Sequence, residues 1–109
     1  MVDPEQYLFN DLDAATAKKW SSTLTAAPVM NSPLTHKPYD VLPCAYLVLE
    51  KDRTLPKEYQ EGMAASQSKP FTIYRAPCGH SPHLSWTNEL VAKIEQFGNQ
   101  VLAGSSTAD

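Results

Sequence analysis

No apolar run in this chain approaches the roughly 20 residues that a bilayer-spanning helix needs. The first residues, Met1–Glu5, lack the basic and apolar regions of a secretory signal, so we expect a cytoplasmic protein. A basic run is also missing, and the net charge is −3. Neither nucleic acid nor an acidic membrane attracts such a chain, and we expect neither as a partner.

Metal and cofactor signals are equally scarce. The four glycines form no phosphate-binding loop. Cys78, His80 and His83 lie close in sequence, but no second ligand pair with zinc spacing accompanies them. We therefore expect no metal and no cofactor. The two cysteines, Cys44 and Cys78, fall at opposite ends of two predicted parallel strands, about 20 Å apart. That distance is too long for a disulfide, so both are predicted to be free thiols.

Two short apolar runs predict strands at about 44–50 and 71–76. The first run is nearly unbroken, which is typical of a strand that is covered on both faces. A helix at about 56–66, opened by Pro56, lies between the two strands, and Tyr59, Met63 and Ala64 are its predicted buried face. Because a strand–helix–strand unit is a crossover, the two strands are expected to be parallel in one sheet of an α/β fold.

Two further helices complete the prediction. One covers about 13–24, with Asp11 or Asp13 as its N-cap and an apolar stripe that includes Trp20. The clearer one covers about 87–100 and begins at Thr87; its apolar positions are Leu90, Val91, Ile94, Phe97 and Val101. The whole of 1–109 is read as a single domain. Residues 43–102 carry the strands and the later helices, and 103–109 form a flexible tail.

Asp52 and His80 are the main functional signal. Each follows the carboxyl end of a predicted strand, and parallel strands finish at the same edge of a sheet. An aspartate beside a histidine fixes one ring nitrogen, so that the other can accept or donate a proton near neutral pH. In the alternative interpretation, Asp52 only caps the following helix and His80 is a polar loop residue.

Several motifs resemble the C-terminal part of the α/β-hydrolase superfamily, in particular its esterase-like and hydroxynitrile-lyase-like branch with many fungal members. They are the run Leu49–Pro56, with Gln60 and Met63 after it, the turn Gly79–Pro82, and the segments Tyr7–Asp11, Ala17–Trp20 and Ser32–Thr35. The resemblance covers about residues 4–101. It implies that Asp52 and His80 are the acid and the histidine of a catalytic triad. It also implies that residues 1–42 are a cap remnant and linker.

The chain departs from that family because no G-x-S-x-G elbow precedes Asp52, and the family's early strands and oxyanion-hole loop are missing too. Gly79–His80–Ser81 imitates part of the motif, but it lies after the second strand and lacks the last glycine. Cys78 is interpreted as a structural thiol rather than a substitute nucleophile. We therefore expect a truncated α/β-hydrolase fold that is not a serine hydrolase on its own.

Three functions stay open at this point. The first is hydrolase or esterase chemistry completed by another segment or chain. The second is a nucleophile-free acid–base enzyme, such as a lyase, isomerase or cyclase, in small-molecule biosynthesis. The third is a non-catalytic protein that binds or stabilises a partner. For a small-molecule substrate, the predicted pocket residues are Tyr7, Phe9, Trp20, His83 and Trp86.

The first strand also predicts an interaction. Two strands bury little surface, and the outer edge of the first strand would be left without a partner. We expect the chain to self-associate or to dock onto a partner through this edge.

Overall fold

A computed structural model describes residues 3–107, with side chains described as far as Gly104. Five α-helices, two strands and one 3-10 helix follow one another in this range. In chain order they are α1 (Pro4–Tyr7), α2 (Ala14–Ser21), the 3-10 helix (Pro38–Asp40), β1 (Ala45–Leu49), α3 (Lys57–Ala65), β2 (Thr72–Ala76), α4 (Pro82–Ser85) and α5 (Thr87–Thr107).

The sheet consists of β1 and β2, which pair in parallel from Ala45 opposite Thr72 to Leu49 opposite Ala76. This confirms the predicted α/β class and the parallel crossover. The ladder begins with the Thr72 amide donating to the carbonyl of Cys44. Because every second residue of a parallel strand bonds to the same neighbour, Ala45, Leu47 and Leu49 direct their backbone groups to the other edge. In the described part of the chain, no further strand pairs with that edge.

The core is small and lies beneath β1 and the N-terminal segment. Its buried apolar residues are Phe9, Ala17, Val48, Ala64, Ala76 and Cys78. Helix α3 packs on β1 through Gln60 and Ala64. The prediction that Tyr59 and Met63 form the buried face of this helix is wrong, since both are largely exposed. Glu61 forms an ion pair with Arg75 on β2. The face of α3 that packs on the sheet is therefore centred on Gln60 and Ala64 and extends toward Glu61, not toward Tyr59.

The helix boundaries differ from the predicted ones at two ends. Helix α2 stops at Ser21 instead of Leu24, because the hydroxyls of Ser22 and Thr23 bond to carbonyls of its last turn. Helix α5 continues to Thr107, past the predicted end near residue 100, since no proline stops it. Part of the predicted flexible tail is therefore helical, and residues 108 and 109 lie outside the described range.

Residues 22–43 run over the surface as an exposed segment with one 3-10 turn, in agreement with its many prolines. The radius of gyration is 16.4 Å. A compact chain of this length would have about 13 Å, so the molecule is elongated and buries little of itself. Among the helices of residues 3–107, none combines the length and apolar character needed to cross a bilayer.

Candidate functional site

Asp52 and His80 contact each other at the carboxyl ends of the two strands. The Nδ1 atom of His80 lies 2.8 Å from Oδ2 of Asp52. The Asp52 side chain is only 2% exposed, whereas the His80 ring is 36% exposed. A carboxylate acceptor at Nδ1 favours the tautomer with the proton on that nitrogen, which leaves Nε2 as an acceptor. Within the described residues, Nε2 has no hydrogen-bond partner of its own.

The turn after β1 fixes the Asp52 carboxylate. Its Oδ1 accepts hydrogen bonds from the amides of Thr54 at 2.8 Å and Leu55 at 3.0 Å, so Oδ2 is left for His80. The two strands also stay connected beyond the sheet, because the Lys51 amide donates to the carbonyl of Cys78. Asp52 thus caps the turn before α3 and also contacts His80; it does not cap the helix itself, whose N-cap is Pro56.

Gln60 on α3 also binds the backbone at both ends of this turn, a role that the sequence did not predict. Its carboxamide accepts from the amide of Leu49 at 2.8 Å and donates to the carbonyls of Leu49 at 3.0 Å and Leu55 at 2.8 Å. The side chain is 1% exposed. The one sequence signal is a polar residue four positions before Ala64, on the face of α3 that packs against the sheet.

Neither local candidate can act as a nucleophile. Ser81 is buried, and its hydroxyl donates to the carbonyl of Leu8 at 2.7 Å. Cys78 is 3% exposed, and burial, together with the negative charges of Asp11 and Asp52, raises the pKa of its thiol to about 11. A thiol with this pKa is protonated at neutral pH and unreactive. Both cysteines are free, as predicted.

The five predicted pocket residues differ in their exposure. Phe9 is buried at 6% exposure and belongs to the core, so it does not line an open cleft. Tyr7 and His83 are exposed, and Trp20 and Trp86 are half-buried. Five cavities are lined by residues within 35–47, 61–75 and 90–104, so neither these five side chains nor Asp52 and His80 contribute to them.

The pair also lacks a metal-binding environment. Across residues 3–107, no three His, Cys, Asp or Glu side chains stand close enough together to hold an ion. His83 is exposed on α4, and its carbonyl accepts from the Thr87 hydroxyl at 2.7 Å. The arrangement offers one partly exposed imidazole, which a buried carboxylate orients.

Comparison with known proteins agrees with this architecture. The model of the alpha/beta hydrolase family matches residues 2–93, and the chain therefore belongs to that family. A curated relative, "Alpha/beta hydrolase nvfD" from Aspergillus novofumigatus, is 31% identical over 97 residues, which cover 87% of this chain and 39% of that protein. The chain thus spans about two-fifths of the length of this relative. No solved structure matches the chain described here.

Proposed function

We propose that Asp52 and His80 are the acid–base pair of an ester-hydrolysing site. In this proposal, the nucleophile is a hydroxyl from a segment outside these 109 residues, either in a longer chain or in a companion chain. The observation that carries the proposal is the 2.8 Å contact between His80 Nδ1 and Asp52 Oδ2, in a His80 side chain that is 36% exposed. Membership of the alpha/beta hydrolase family supports it.

The proposed reaction uses His80 twice. As the hydroxyl oxygen attacks the ester carbonyl, Nε2 takes the hydroxyl proton, and the resulting imidazolium is stabilised by the carboxylate of Asp52. When the intermediate collapses, the same proton passes to the leaving alcohol oxygen and His80 is neutral again. Water then repeats the sequence and releases the acid. Asp52 keeps its charge throughout, since its role is to orient and stabilise the ring.

An activated ester tests this role without the missing segment. Water can attack p-nitrophenyl acetate directly, with His80 as its general base, so the chain alone should hydrolyse this ester slowly. Because general-base assistance contributes factors of 10² or more in complete sites, we expect His80→Ala to lower the rate above buffer by about tenfold or more. Asp52→Asn should lower it as well. His83→Ala is the matched control, since it removes an exposed imidazole three residues away.

The result against the proposal is equally clear. If His80→Ala hydrolyses the ester as fast as wild type and His83→Ala, the pair has no acid–base role in ester hydrolysis. Ser81→Ala should lower the rate far less than His80→Ala, because the Ser81 hydroxyl bonds to the Leu8 carbonyl and is not the nucleophile.

The acid–base alternative is favoured by one observation: both local nucleophile candidates, Ser81 and Cys78, are unavailable. A lyase, isomerase or cyclase acting on a small molecule would need only proton transfer by His80. Deuterium exchange into acetylacetone in D₂O measures such transfer directly. Exchange that depends on His80, without ester hydrolysis, would favour this alternative. If the wild-type chain shows neither ester hydrolysis nor deuterium exchange, the non-catalytic binding role is left.

We further propose that the segment that carries the nucleophile joins the chain at the free edge of β1. Ala45 and Leu47 direct backbone groups to this edge, and β1 carries no charged side chain that would oppose pairing. The chain also spans only 39% of its hydrolase relative, so the relative has further chain that could supply such a strand.

Without that segment, the same edge is available to a second copy. Sedimentation should therefore show association that increases with concentration. Ala45→Pro, which removes an outward amide but no bond to β2, should weaken it. A folded wild-type chain that stays monomeric at all concentrations would contradict an accessible edge.

A further inference from the structure

The segment Tyr7–Asp11, which we call the clasp, contacts both turns that carry the proposed pair. On the acid side, the carbonyl of Tyr7 accepts from the Thr54 hydroxyl at 2.8 Å, and Asn10 Nδ2 donates to the carbonyl of Lys51 at 3.0 Å. Lys51 and Thr54 lie on either side of Asp52. The clasp therefore holds the acid turn by its backbone and by one hydroxyl, without touching the carboxylate itself.

On the histidine side, the clasp has three further contacts. Oδ2 of Asp11 accepts from the Gly79 amide and from the Ser85 hydroxyl, both at 2.7 Å, and the carbonyl of Leu8 accepts from Ser81. Gly79 and Ser81 are the two neighbours of His80. Hydrogen bonds to a carboxylate are short and about twice as strong as neutral ones, which makes Asp11 the strongest point of the clasp.

The sheet alone does not determine the distance between Asp52 and His80. The ladder ends at Leu49 opposite Ala76, and one further backbone hydrogen bond joins Lys51 to Cys78. The acid therefore lies one residue and the imidazole two residues beyond the last backbone contact between the two turns, and their side chains can still shift relative to each other without breaking it. A connection from outside the sheet restricts this movement, and the clasp is bonded to both turns.

We propose that Asp11, supported by Asn10, is a positioning residue that holds His80 against Asp52. It touches neither side chain and acts through the Gly79 amide. The packing around Gly79 is tight: a β-carbon built there would lie 3.0 Å from Oδ1 of Asp11 and closer still to Asn10. The backbone of Gly79, next to His80, therefore packs directly against Asn10 and Asp11 of the clasp.

The experiment follows the proton on His80 Nδ1 by NMR. A ring N–H proton that is hydrogen-bonded to a carboxylate resonates at unusually low field. Asp52→Asn and His80→Ala assign the resonance by abolishing it. Asp11→Ala is expected to remove or strongly weaken it. Asp11→Asn, which keeps an acceptor oxygen in place, is expected to restore most of it.

Asp13→Ala is the matched control. Asp13 lies two residues further on and also accepts two hydrogen bonds, from the amide and hydroxyl of Thr16 at the start of α2, away from the pair. It should keep the resonance at full intensity. If Asp11→Ala fails to fold by circular dichroism, Asn10→Ala, which releases only Lys51, provides the second test and should weaken the same signal.

Full intensity in the folded Asp11→Ala chain, or in Asn10→Ala if the former is unfolded, would overturn the proposal. So would an equal loss in Asp13→Ala. This readout does not depend on ester hydrolysis. An inactive wild-type chain with an intact low-field proton would refute the proposed function and leave the positioning role standing.

Discussion

Gln60→Met should destabilise the chain more than any surface substitution on the same helix. The carboxamide of Gln60 satisfies three backbone groups at once: the amide and carbonyl of Leu49 and the carbonyl of Leu55. Because Leu49 directs these groups to the free edge of β1, Gln60 occupies the place that a neighbouring strand would take. Methionine has a similar length and flexibility but can make none of these bonds.

The size of the effect follows from those three bonds. Each contributes about 1 kcal/mol net, so their loss costs about 3 kcal/mol, and the better burial of methionine offsets part of that. We therefore expect the free energy of unfolding to fall by about 2–3 kcal/mol. For a chain of this size, such a loss lowers the melting temperature by about 10–20 °C.

Urea denaturation followed by circular dichroism measures the loss. Tyr59→Met introduces the same side chain one position earlier, where the native tyrosine is 67% exposed, and should change stability by about 0.5 kcal/mol or less. A Gln60→Met chain that is as stable as Tyr59→Met would refute the reasoning, because the three hydrogen bonds would then contribute nothing.

Two further predictions concern Gly79 and Cys78. Gly79→Ala should lower the free energy of unfolding, measured by urea denaturation, by about 1–3 kcal/mol, because the new β-carbon would overlap the Asn10 side chain. Gly62→Ala, with open space around it in α3, should raise it by about 0.5–1 kcal/mol. Equal effects of the two substitutions would contradict the close contact at Gly79. Cys78 should resist Ellman's reagent at pH 8 while half-buried Cys44 reacts, and labelling of both at one rate would contradict this. Since burial raises the pKa of the Cys78 thiol from 9.0 to about 11, the folded state holds this proton more tightly than the unfolded state, so stability should fall as the pH rises from about 9 to 11. That decline should be smaller in Cys78→Ala melts, and an equal decline would refute the assignment.

The sheet was predictable from sequence because its signal is local. Two apolar runs on either side of a helix opened by Pro56 leave few topologies, and a crossover makes the strands parallel. The contact between Asp52 and His80 follows from the same rule, since both residues lie just beyond the carboxyl ends of those strands. Prediction succeeded wherever spacing along the chain determines position in space.

The contacts of Gln60, Asn10 and Asp11 were not predictable in this way. Asp11 was a candidate cap for α2, but Asp13 takes that place and Asp11 bonds to Gly79, 68 residues away. The amphipathic pattern of α3 placed Tyr59 and Met63 against the sheet, because periodicity ranks residues by hydrophobicity and cannot show that a glutamine will bond to strand backbone. Such contacts depend on tertiary geometry, which no local pattern encodes.

The oriented acid–base pair and the nucleophile of the proposed site have different origins. The hydrogen bonds that orient Asp52 and His80 come from residues 7–85 of this chain, whereas the proposed nucleophile would come from another segment. A pair that is already oriented does not have to reorganise when a nucleophile arrives, and preorganisation of this kind is a large part of catalytic power. Under the proposed function, this chain would supply the part of the hydrolytic site that demands the most accurate geometry. A strand added at the free backbone groups of Ala45 and Leu47 would extend the same sheet that carries this part of the site.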